Sequence, residues 1–158
     1  MDTTFIVDST VCDDLGNWNR VLKFVQTLVT FFNVSPSGGR IALIPYSTNA
    51  NVVLKFNTLT GRLLNGGEVN RRVGLLQCQG GSRRIDKALD LADKEVLTSA
   101  GGVRDISRVK QFSVNIHLVS YHRSRSDCSL GVQAFKRIAV LPNLSDPNQK
   151  LRSIFADS

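Results

Sequence analysis

The sequence contains few cysteines and few aromatic residues, and it has no long apolar run. Three cysteines are too few for a disulfide scaffold, and their spacing matches no zinc-finger pattern. Aromatic residues make up 7%, which argues against an exposed stacking platform for nucleic-acid bases. The longest apolar stretch, Val21 to Phe32, is interrupted by Lys23 and Gln26, so it falls short of the roughly 18 residues of a membrane-spanning helix.

The composition is that of one ordinary globular domain with an excess of basic residues. Apolar residues make up 42% and charged residues 21%, which excludes disordered and fibrous chains, and 158 residues suffice for one core. Twenty Lys and Arg against thirteen Asp and Glu give a net charge of +7. This balance favours an acidic partner, such as nucleic acid, a sulfated polysaccharide, an anionic membrane or an acidic protein surface, without choosing among them.

The first half of the chain begins with a strand-like pattern and a helix-like pattern. Thr3 to Val7 is β-branched and apolar, and it predicts a buried strand. From Trp18 to Phe32 the apolar residues recur at the i, i+3, i+4, i+7 spacing of a helix that packs against a large surface. The helix is expected to stop at Asn33, before the Gly38-Gly39 pair.

Two further apolar segments predict an antiparallel hairpin. Arg40 to Ser47 and Asn51 to Phe56 are strand-like, and the short polar link between them indicates that they pair directly. Pro45 cannot donate to a strand ladder, so it predicts a bulge or a strand end at that position.

The second half of the chain shows the same two periodicities. Helices are predicted near Glu68 to Leu76, from Ile85 to Leu97 with Ser82 as the N-cap, at Leu130 to Lys136 and at Pro147 to Phe155. Strands are predicted at Phe112 to Ser120 and at Arg137 to Leu141. Strands that alternate with helices indicate an α/β fold, with a mostly parallel sheet and helices on both faces.

The order of these elements also predicts where a ligand binds. In such sheets ligands bind beyond the carboxyl ends of the strands, where the winding direction reverses. The predicted reversal lies between the strands that end at Val7 and at Val119. The site is therefore expected in three loops: Asp8 to Cys12, Gly80 to Ser82, and Ser120 to Arg125.

These loops and the elements between them resemble the von Willebrand factor type A (vWA) domain. The segment Asp8 to Cys12 resembles the family's D-x-S-x-S metal motif, and Gly80-Gly81-Ser82 resembles its G-G-T turn. Trp18 to Phe32 matches the first helix, and Phe112 to Ser126 matches the central strand that ends in T-D-G. The resemblance implies one three-layer, Rossmann-like domain over residues 1–158, with one antiparallel edge strand. It also implies that the family's final strand and helix are missing.

The resemblance implies a metal-ion-dependent adhesion site, in which hydroxyls hold Mg²⁺ directly, two Asp side chains support them, and an acidic residue of the partner completes the coordination. Three positions match this set: Asp8, Thr10 and Ser82. Cys12 stands in place of the second serine, and Tyr121 in place of the second aspartate, with His122 for the glycine. Because Mg²⁺ prefers oxygen ligands, we expect a degenerate site with little or no Mg²⁺ affinity. Asp8 is then expected to accept hydrogen bonds from loop amides.

Four arginines are predicted to lie on the same rim: Arg83, Arg84, Arg123 and Arg125. The first two fall in the first turn of a predicted helix, where cations oppose the helix dipole. A helix N-terminus flanked by arginines suits an anion better than a divalent cation. With Tyr121 and His122, the four arginines form the predicted partner-binding surface. The alternative is a set of solvated charges balanced by Asp13, Asp14 and Asp86.

The cysteines leave two possibilities open. Cys12, Cys78 and Cys128 are all expected in loops at the carboxyl ends of strands, and either one disulfide with a free thiol or three thiols is consistent with the sequence. A bridge would lock the rim and suit a secreted protein. The sequons at Asn33 and Asn143 also fit secretion. An extracellular location is expected mainly from the resemblance.

Of three rival functions, the first two would use Cys12 and His122. Cys12 and His122 could form a thiolate–imidazolium pair, but no C-x5-R, G-x-G-x-x-G or P-loop motif follows the first strand, so no catalytic activity is expected. Zinc held by Cys12, Cys78, Cys128 and His122 has suitable ligand types without the usual paired spacing. Specific nucleic-acid binding is not expected, because the helical aromatic residues belong to a core stripe.

The resulting prediction is a secreted, non-enzymatic adhesion module of an extracellular or matrix protein. It recognises an extracellular protein or an acidic matrix polymer through the arginine-rich rim, and it needs no cofactor. The alternative keeps a Mg²⁺ bridge at a residual site formed by Asp8, Thr10 and Ser82, with water at the two altered positions.

Overall fold

The computed structural model describes residues 1–10, 12, 15–104, 114–123 and 128–138, and the fold is given for those residues. The strands are β1 (Asp2–Asp8), β2 (Arg40–Tyr46), β3 (Val114–Arg123) and β4 (Cys128–Ile138). The α-helices are α1 (Leu15–Thr30), α2 (Gly66–Gly74) and α3 (Ile85–Leu91). A short 3-10 turn at Gly61–Leu63 precedes α2, and a π-helical turn at Ala92–Val96 extends α3.

The four strands form one sheet in the order β2-β1-β3-β4. β1 is parallel to both neighbours, with Phe5 opposite Leu43 on β2 and opposite His117 on β3. β3 and β4 are antiparallel. The prediction of a mainly parallel sheet in an α/β fold is therefore confirmed for the described residues. The predicted reversal is also confirmed, because Val7 and Val119 are partners on adjacent parallel strands.

β1 is the central element of the core, and all seven of its residues are buried. Its side chains alternate between the two faces of the sheet. Phe5 and Val7 join a cluster formed with residues of α1 and α2, whereas Ile6 joins a second cluster that contains Ala88 of α3. Phe5, Ile6 and Val7 therefore make apolar contacts on both faces of the sheet.

The two helices on the first face follow the predicted apolar spacing. In α1 the fully buried residues are Val21, Val25 and Val29, which recur every fourth position. In α2 the buried residues are Val69 and Val73, and the helix begins where the Asn65 side chain accepts a hydrogen bond from the amide of Glu68. The predicted helix at Trp18–Phe32 is thus confirmed within three residues at each end, and the one near Glu68–Leu76 within two.

The predicted strand from Asn51 to Phe56 is wrong, although the segment does run antiparallel to β2. This segment makes only isolated antiparallel bridges to β2, one between Leu43 and Leu54 and one between Tyr46 and Ala50. Pro45 lies between those two bridges and has no N–H to donate, so a continuous ladder cannot form there. The antiparallel edge strand of the sheet is β4, at the opposite edge.

The predicted short helix from Leu130 to Lys136 is also wrong, because these residues belong to β4. They pair with β3, with Val132 opposite Val119 and Leu130 opposite Tyr121. Apolar and small or polar residues alternate from position 130 to 134, which is the period of a strand. The predicted end of that strand at residues 139–141 and the predicted helix at 147–155 lie outside the described residues.

The N-cap assigned to Ser82 is wrong as well. α3 begins three residues later, at Ile85, and Arg84 occupies the N-cap position without a side-chain capping bond. Ser82 instead donates its backbone amide to the Thr48 hydroxyl oxygen at 2.9 Å, which holds this segment in a turn. None of the described helices has the length and apolar character that a membrane crossing requires.

Candidate functional site

The carboxyl end of β1 places a buried carboxylate at the predicted site. Asp8 is 0% exposed, and its Oδ1 accepts hydrogen bonds from the Thr10 amide at 3.0 Å and the Thr10 hydroxyl at 2.7 Å. Ser9, between them, donates both its amide and its hydroxyl to the Tyr46 carbonyl, each at 2.8 Å. The expectation that Asp8 accepts hydrogen bonds from a loop amide is confirmed. These bonds hold the Asp8–Thr10 turn rigidly against β2.

The Gly80 loop is joined to the same turn. The amides of Gln79 and Gly80 donate to the Ser9 carbonyl at 2.8 and 3.0 Å. A disulfide connects Cys12 to Cys78, with their Cα atoms 5.6 Å apart. Two of the three loops that the sequence placed at the site, Asp8 to Cys12 and Gly80 to Ser82, therefore lie together, and the disulfide links them covalently.

Two glycines are required for the path of this loop. Gly80 and Gly81 have φ angles of +64° and +86°, a region that side chains with a Cβ rarely adopt. A Cβ at Gly81 would also lie 2.3 Å from the hydroxyl oxygen of Thr48. The close approach allows the neighbouring amide of Ser82 to reach that same oxygen. These contacts fix the loop backbone immediately before Arg83.

Arg83 points at Asp8. Its Nε lies 3.0 Å from Asp8 Oδ2 and donates a hydrogen bond to the Thr10 hydroxyl at 3.2 Å. The contact with Oδ2 is an ion pair without hydrogen-bond geometry, because that oxygen has no hydrogen-bond donor among the described residues. Since a buried charge needs a counter-charge, the Arg83 guanidinium compensates for the Asp8 carboxylate.

The Asp8 carboxylate also affects the pKa of Tyr46 on the neighbouring strand. Tyr46 ends β2 beside it, and its phenol is buried. Burial, and to a lesser extent the Asp8 carboxylate, raise the pKa of Tyr46 above its ordinary value, whereas Arg83 acts in the opposite direction. The Tyr46 phenol is therefore neutral at neutral pH.

The next two cations of the segment are also partnered. Arg84 makes a bidentate contact with Asp86, which lowers the pKa of that carboxyl to about 2. The Lys87 ammonium donates to the Thr48 carbonyl and the Asn49 side chain, both at 2.8 Å. The predicted balance of an arginine by Asp86 is confirmed. The partner of Arg83 was not predicted, since Asp8 was assigned to a metal or to loop amides alone.

The residues that the resemblance assigns to a metal are arranged differently from a ligand set. The Thr10 hydroxyl donates to Asp8 and accepts from Arg83, and the guanidinium contacts the second Asp8 oxygen. The Cys12 sulfur is in a disulfide. Among the described residues no group of three or more His, Cys, Asp or Glu side chains can hold a metal ion. As arranged, these residues do not fit Mg²⁺ unless Arg83 leaves Asp8.

The disulfide corrects two of the rival hypotheses. A thiolate nucleophile at Cys12 and a zinc ion held by Cys12 and Cys78 both require free thiols, and the bridge uses both sulfurs. The sequence had left open whether any pair forms. Bridge formation depends on spatial proximity, which the spacing of the cysteines along the chain does not reveal.

The third predicted loop begins as strand. Tyr121, His122 and Arg123 belong to β3, where they continue past the last β1 partner, Val119, and pair with β4. The predicted end of the strand at Ser120 is therefore wrong, because β4 supplies hydrogen-bonding partners beyond the end of β1. Arg125 lies outside the described residues.

Comparison with known proteins identifies the family. The model of the von Willebrand factor type A domain matches residues 2–128. This chain belongs to that family. Over 108 residues it is 27% identical to von Willebrand factor of Rattus norvegicus, a match that covers 66% of this chain and 24% of the relative. The chain thus spans about a quarter of that protein's length.

Solved vWA-type structures share the fold at low sequence identity. Proximal thread matrix protein 1 from the mussel byssus, in a structure with a zinc-occupied metal-ion-dependent adhesion site, is 18% identical, with a TM-score of 0.58 over 74% of this chain and 27% of that one. A structure of three N-terminal domains of the pilus tip protein Mfa5 from Porphyromonas gingivalis is 13% identical, with a TM-score of 0.50 over 80% of this chain and 22% of that one. These likenesses support the fold of the vWA domain.

Proposed function

We propose that this vWA domain is a non-enzymatic binding module of an extracellular or matrix protein, which recognises an acidic protein or matrix polymer without obligatory Mg²⁺. The observation that carries the proposal is the Asp8–Arg83 ion pair. The carboxylate that would otherwise help to hold a metal already has a cation from the same chain. The metal bridge to a partner is therefore replaced by direct contact between the partner and basic side chains.

The proposed binding surface is the rim at the carboxyl ends of β1 and β3. It consists of the residues that the sequence assigned to a partner: Arg83, Arg84, Tyr121, His122, Arg123 and Arg125. The net charge of +7 supports attraction of an acidic partner over a distance set by the ionic strength. We further propose that residues 1–158 form a single three-layer domain.

Two observations support an extracellular location. The Cys12–Cys78 disulfide is a feature of proteins that fold in oxidising compartments. The chain also resembles von Willebrand factor and a byssal matrix protein, which supports a role in adhesion or matrix assembly.

The second candidate is a metal-dependent adhesion domain that uses Asp8, Thr10 and Ser82. Two observations favour it. The Thr10 hydroxyl oxygen and Asp8 Oδ1 lie 2.7 Å apart, and the mussel byssus structure named above has zinc in its adhesion site. In this case the ion would displace Arg83 and meet an acidic residue of the partner.

A binding assay separates the two candidates. Immobilised heparin and poly-glutamate serve as acidic probes, with duplex DNA as a test for non-specific attraction. We expect wild-type binding to be unchanged by EDTA and to fall at least tenfold in the pair Arg83→Gln, Arg84→Gln. The matched control pair, Arg20→Gln with Lys23→Gln on the exposed face of α1, removes the same charge elsewhere. Loss of binding in EDTA would favour the second candidate. An equal loss of binding in both pairs of substitutions would indicate a diffuse charge effect.

A further inference from the structure

β1 carries a buried carboxylate at each end, and an arginine pairs with each one. At the first end the Asp2 side chain, 1% exposed, accepts from Arg40 at 3.1 and 2.6 Å, and the Arg104 guanidinium approaches within 3.2 Å. At the other end Asp8 has a single described arginine, which reaches Oδ2 without hydrogen-bond geometry. The Asp2 end is therefore fully satisfied, whereas the Asp8 end retains a buried oxygen with unused acceptor capacity.

The position of Arg83 coincides with the place that a metal would need. Its Nε contacts Asp8 Oδ2 at 3.0 Å and Thr10 Oγ1 at 3.2 Å, one oxygen from each of two residues that the resemblance assigns to the metal. Mg²⁺ binds oxygen at about 2.0–2.1 Å. An ion at that distance from both oxygens would lie against the guanidinium, and like charges repel at such short range.

The surrounding loop holds Arg83 in this place. The Gly81 backbone passes close to Thr48, and the amide of Arg84 donates to the Ser47 carbonyl at 3.0 Å. The Cys12–Cys78 bridge ties this loop to the turn that bears Asp8 and Thr10. Because these contacts fix the backbone on both sides of the ion pair, only the Arg83 side chain has to be ordered when the pair forms.

We propose that the Arg83 guanidinium is the resident cation of this site, and that it excludes a divalent ion from Asp8 and Thr10 as long as it is in place. The Arg83 side chain is 47% exposed, so it can leave towards solvent without disturbing the core. A divalent ion and Arg83 are therefore competitors for one carboxylate. This inference deepens the proposed function, since it gives the reason why binding does not require Mg²⁺.

Titration of the purified chain with Mn²⁺ tests the proposal, with free Mn²⁺ measured by electron paramagnetic resonance. Arg83→Met removes the charge and keeps most of the aliphatic stem, and we expect it to bind one Mn²⁺ at least tenfold more tightly than the wild type. Arg83→Lys keeps a cation, and Arg84→Met removes the adjacent arginine, which pairs instead with the exposed Asp86. Both variants are expected to have the same Mn²⁺ affinity as the wild type. The double variant Asp8→Asn, Arg83→Met should lose the increase in Mn²⁺ affinity that Arg83→Met shows.

Several results would overturn the proposal. One is wild-type protein or Arg84→Met binding Mn²⁺ as tightly as Arg83→Met, and another is a folded Arg83→Met variant with no gain. If Arg83→Met does not fold, the Arg83 Nε–H resonance of the wild type gives the answer. Resistance to paramagnetic broadening at a stoichiometric amount of Mn²⁺ supports exclusion, and broadening that Asp8→Asn abolishes contradicts it. Because the probe is the metal alone, failure here is distinct from failure to bind an acidic polymer.

Discussion

The Nε atom of Arg83 lies 3.0 Å from a carboxylate oxygen of Asp8, a residue that is fully buried at the end of the central strand. A buried charge of this kind is strongly destabilising unless an opposite charge compensates for it. In a vWA domain whose family uses this carboxylate around a metal, the chain has supplied its own cation. In the proposed function, this one ion pair accounts both for the stability of the site and for binding without Mg²⁺.

The disulfide between Cys12 and Cys78 is predicted to stabilise the domain as well as the site. It closes a loop with a sequence separation of 66 residues, so its loss increases the entropy of the unfolded chain. We expect the double substitution of both cysteines by serine to lower the free energy of unfolding by about 2–4 kcal/mol, as measured by urea denaturation. As a control, a reductant should destabilise the wild type and leave the double variant unchanged. Equal sensitivity of both proteins would contradict this.

Gly81 is predicted to tolerate substitution poorly. Alanine there combines a φ of +86° with a Cβ placed 2.3 Å from the Thr48 hydroxyl oxygen. We expect Gly81→Ala to lower the free energy of unfolding by about 2–3 kcal/mol. Gly61 provides a matched control, since its φ is +55° and a Cβ there would meet nothing within 4 Å. Gly61→Ala should cost only about 1 kcal/mol, and an equal effect of the two substitutions would show that the contact with Thr48 is unimportant.

The stability of α2 is predicted to depend on pH in the acid range. Hydrogen bonds from Arg71 and Arg72 lower the pKa of Glu68 to about 2. A carboxyl whose pKa is lower in the folded state stabilises the fold above its unfolded pKa, near 4.3, and loses that contribution as pH falls towards 2. Thermal melts of the wild type and Glu68→Gln between pH 5 and 2 should therefore converge as the pH falls. Parallel curves would contradict the role of this carboxyl.

Much of the fold could be predicted because its elements have clear periodicities. The apolar residues of β1 and the stripe at Val21, Val25 and Val29 indicate which faces of these elements are buried. The position of the site followed from the reversal between β1 and β3, which brings Asp8 and Gly80 to the same edge of the sheet. These features depend on local patterns and on general rules of topology.

The features that could not be predicted depend on side chains that meet across the fold. The sequence alone places Arg83 near Asp8 but does not show that its guanidinium turns inward to pair with that carboxylate. Nor does it show that Ser82 uses its amide to bind Thr48, which delays the start of α3. The strand at Leu130 is different, because its alternation is present in the sequence and could have been recognised there.

The most direct test of the central claim is a double-mutant cycle between Asp8 and Arg83. Urea denaturation of the wild type, Asp8→Asn, Arg83→Met and the double variant gives the energy that couples the two side chains. We predict a favourable coupling of at least about 1 kcal/mol, less than for a fully buried pair because Arg83 is half-exposed. Arg83→Met alone should be less stable than the double variant, since it leaves the Asp8 charge uncompensated. Additive effects of the two substitutions would contradict the account.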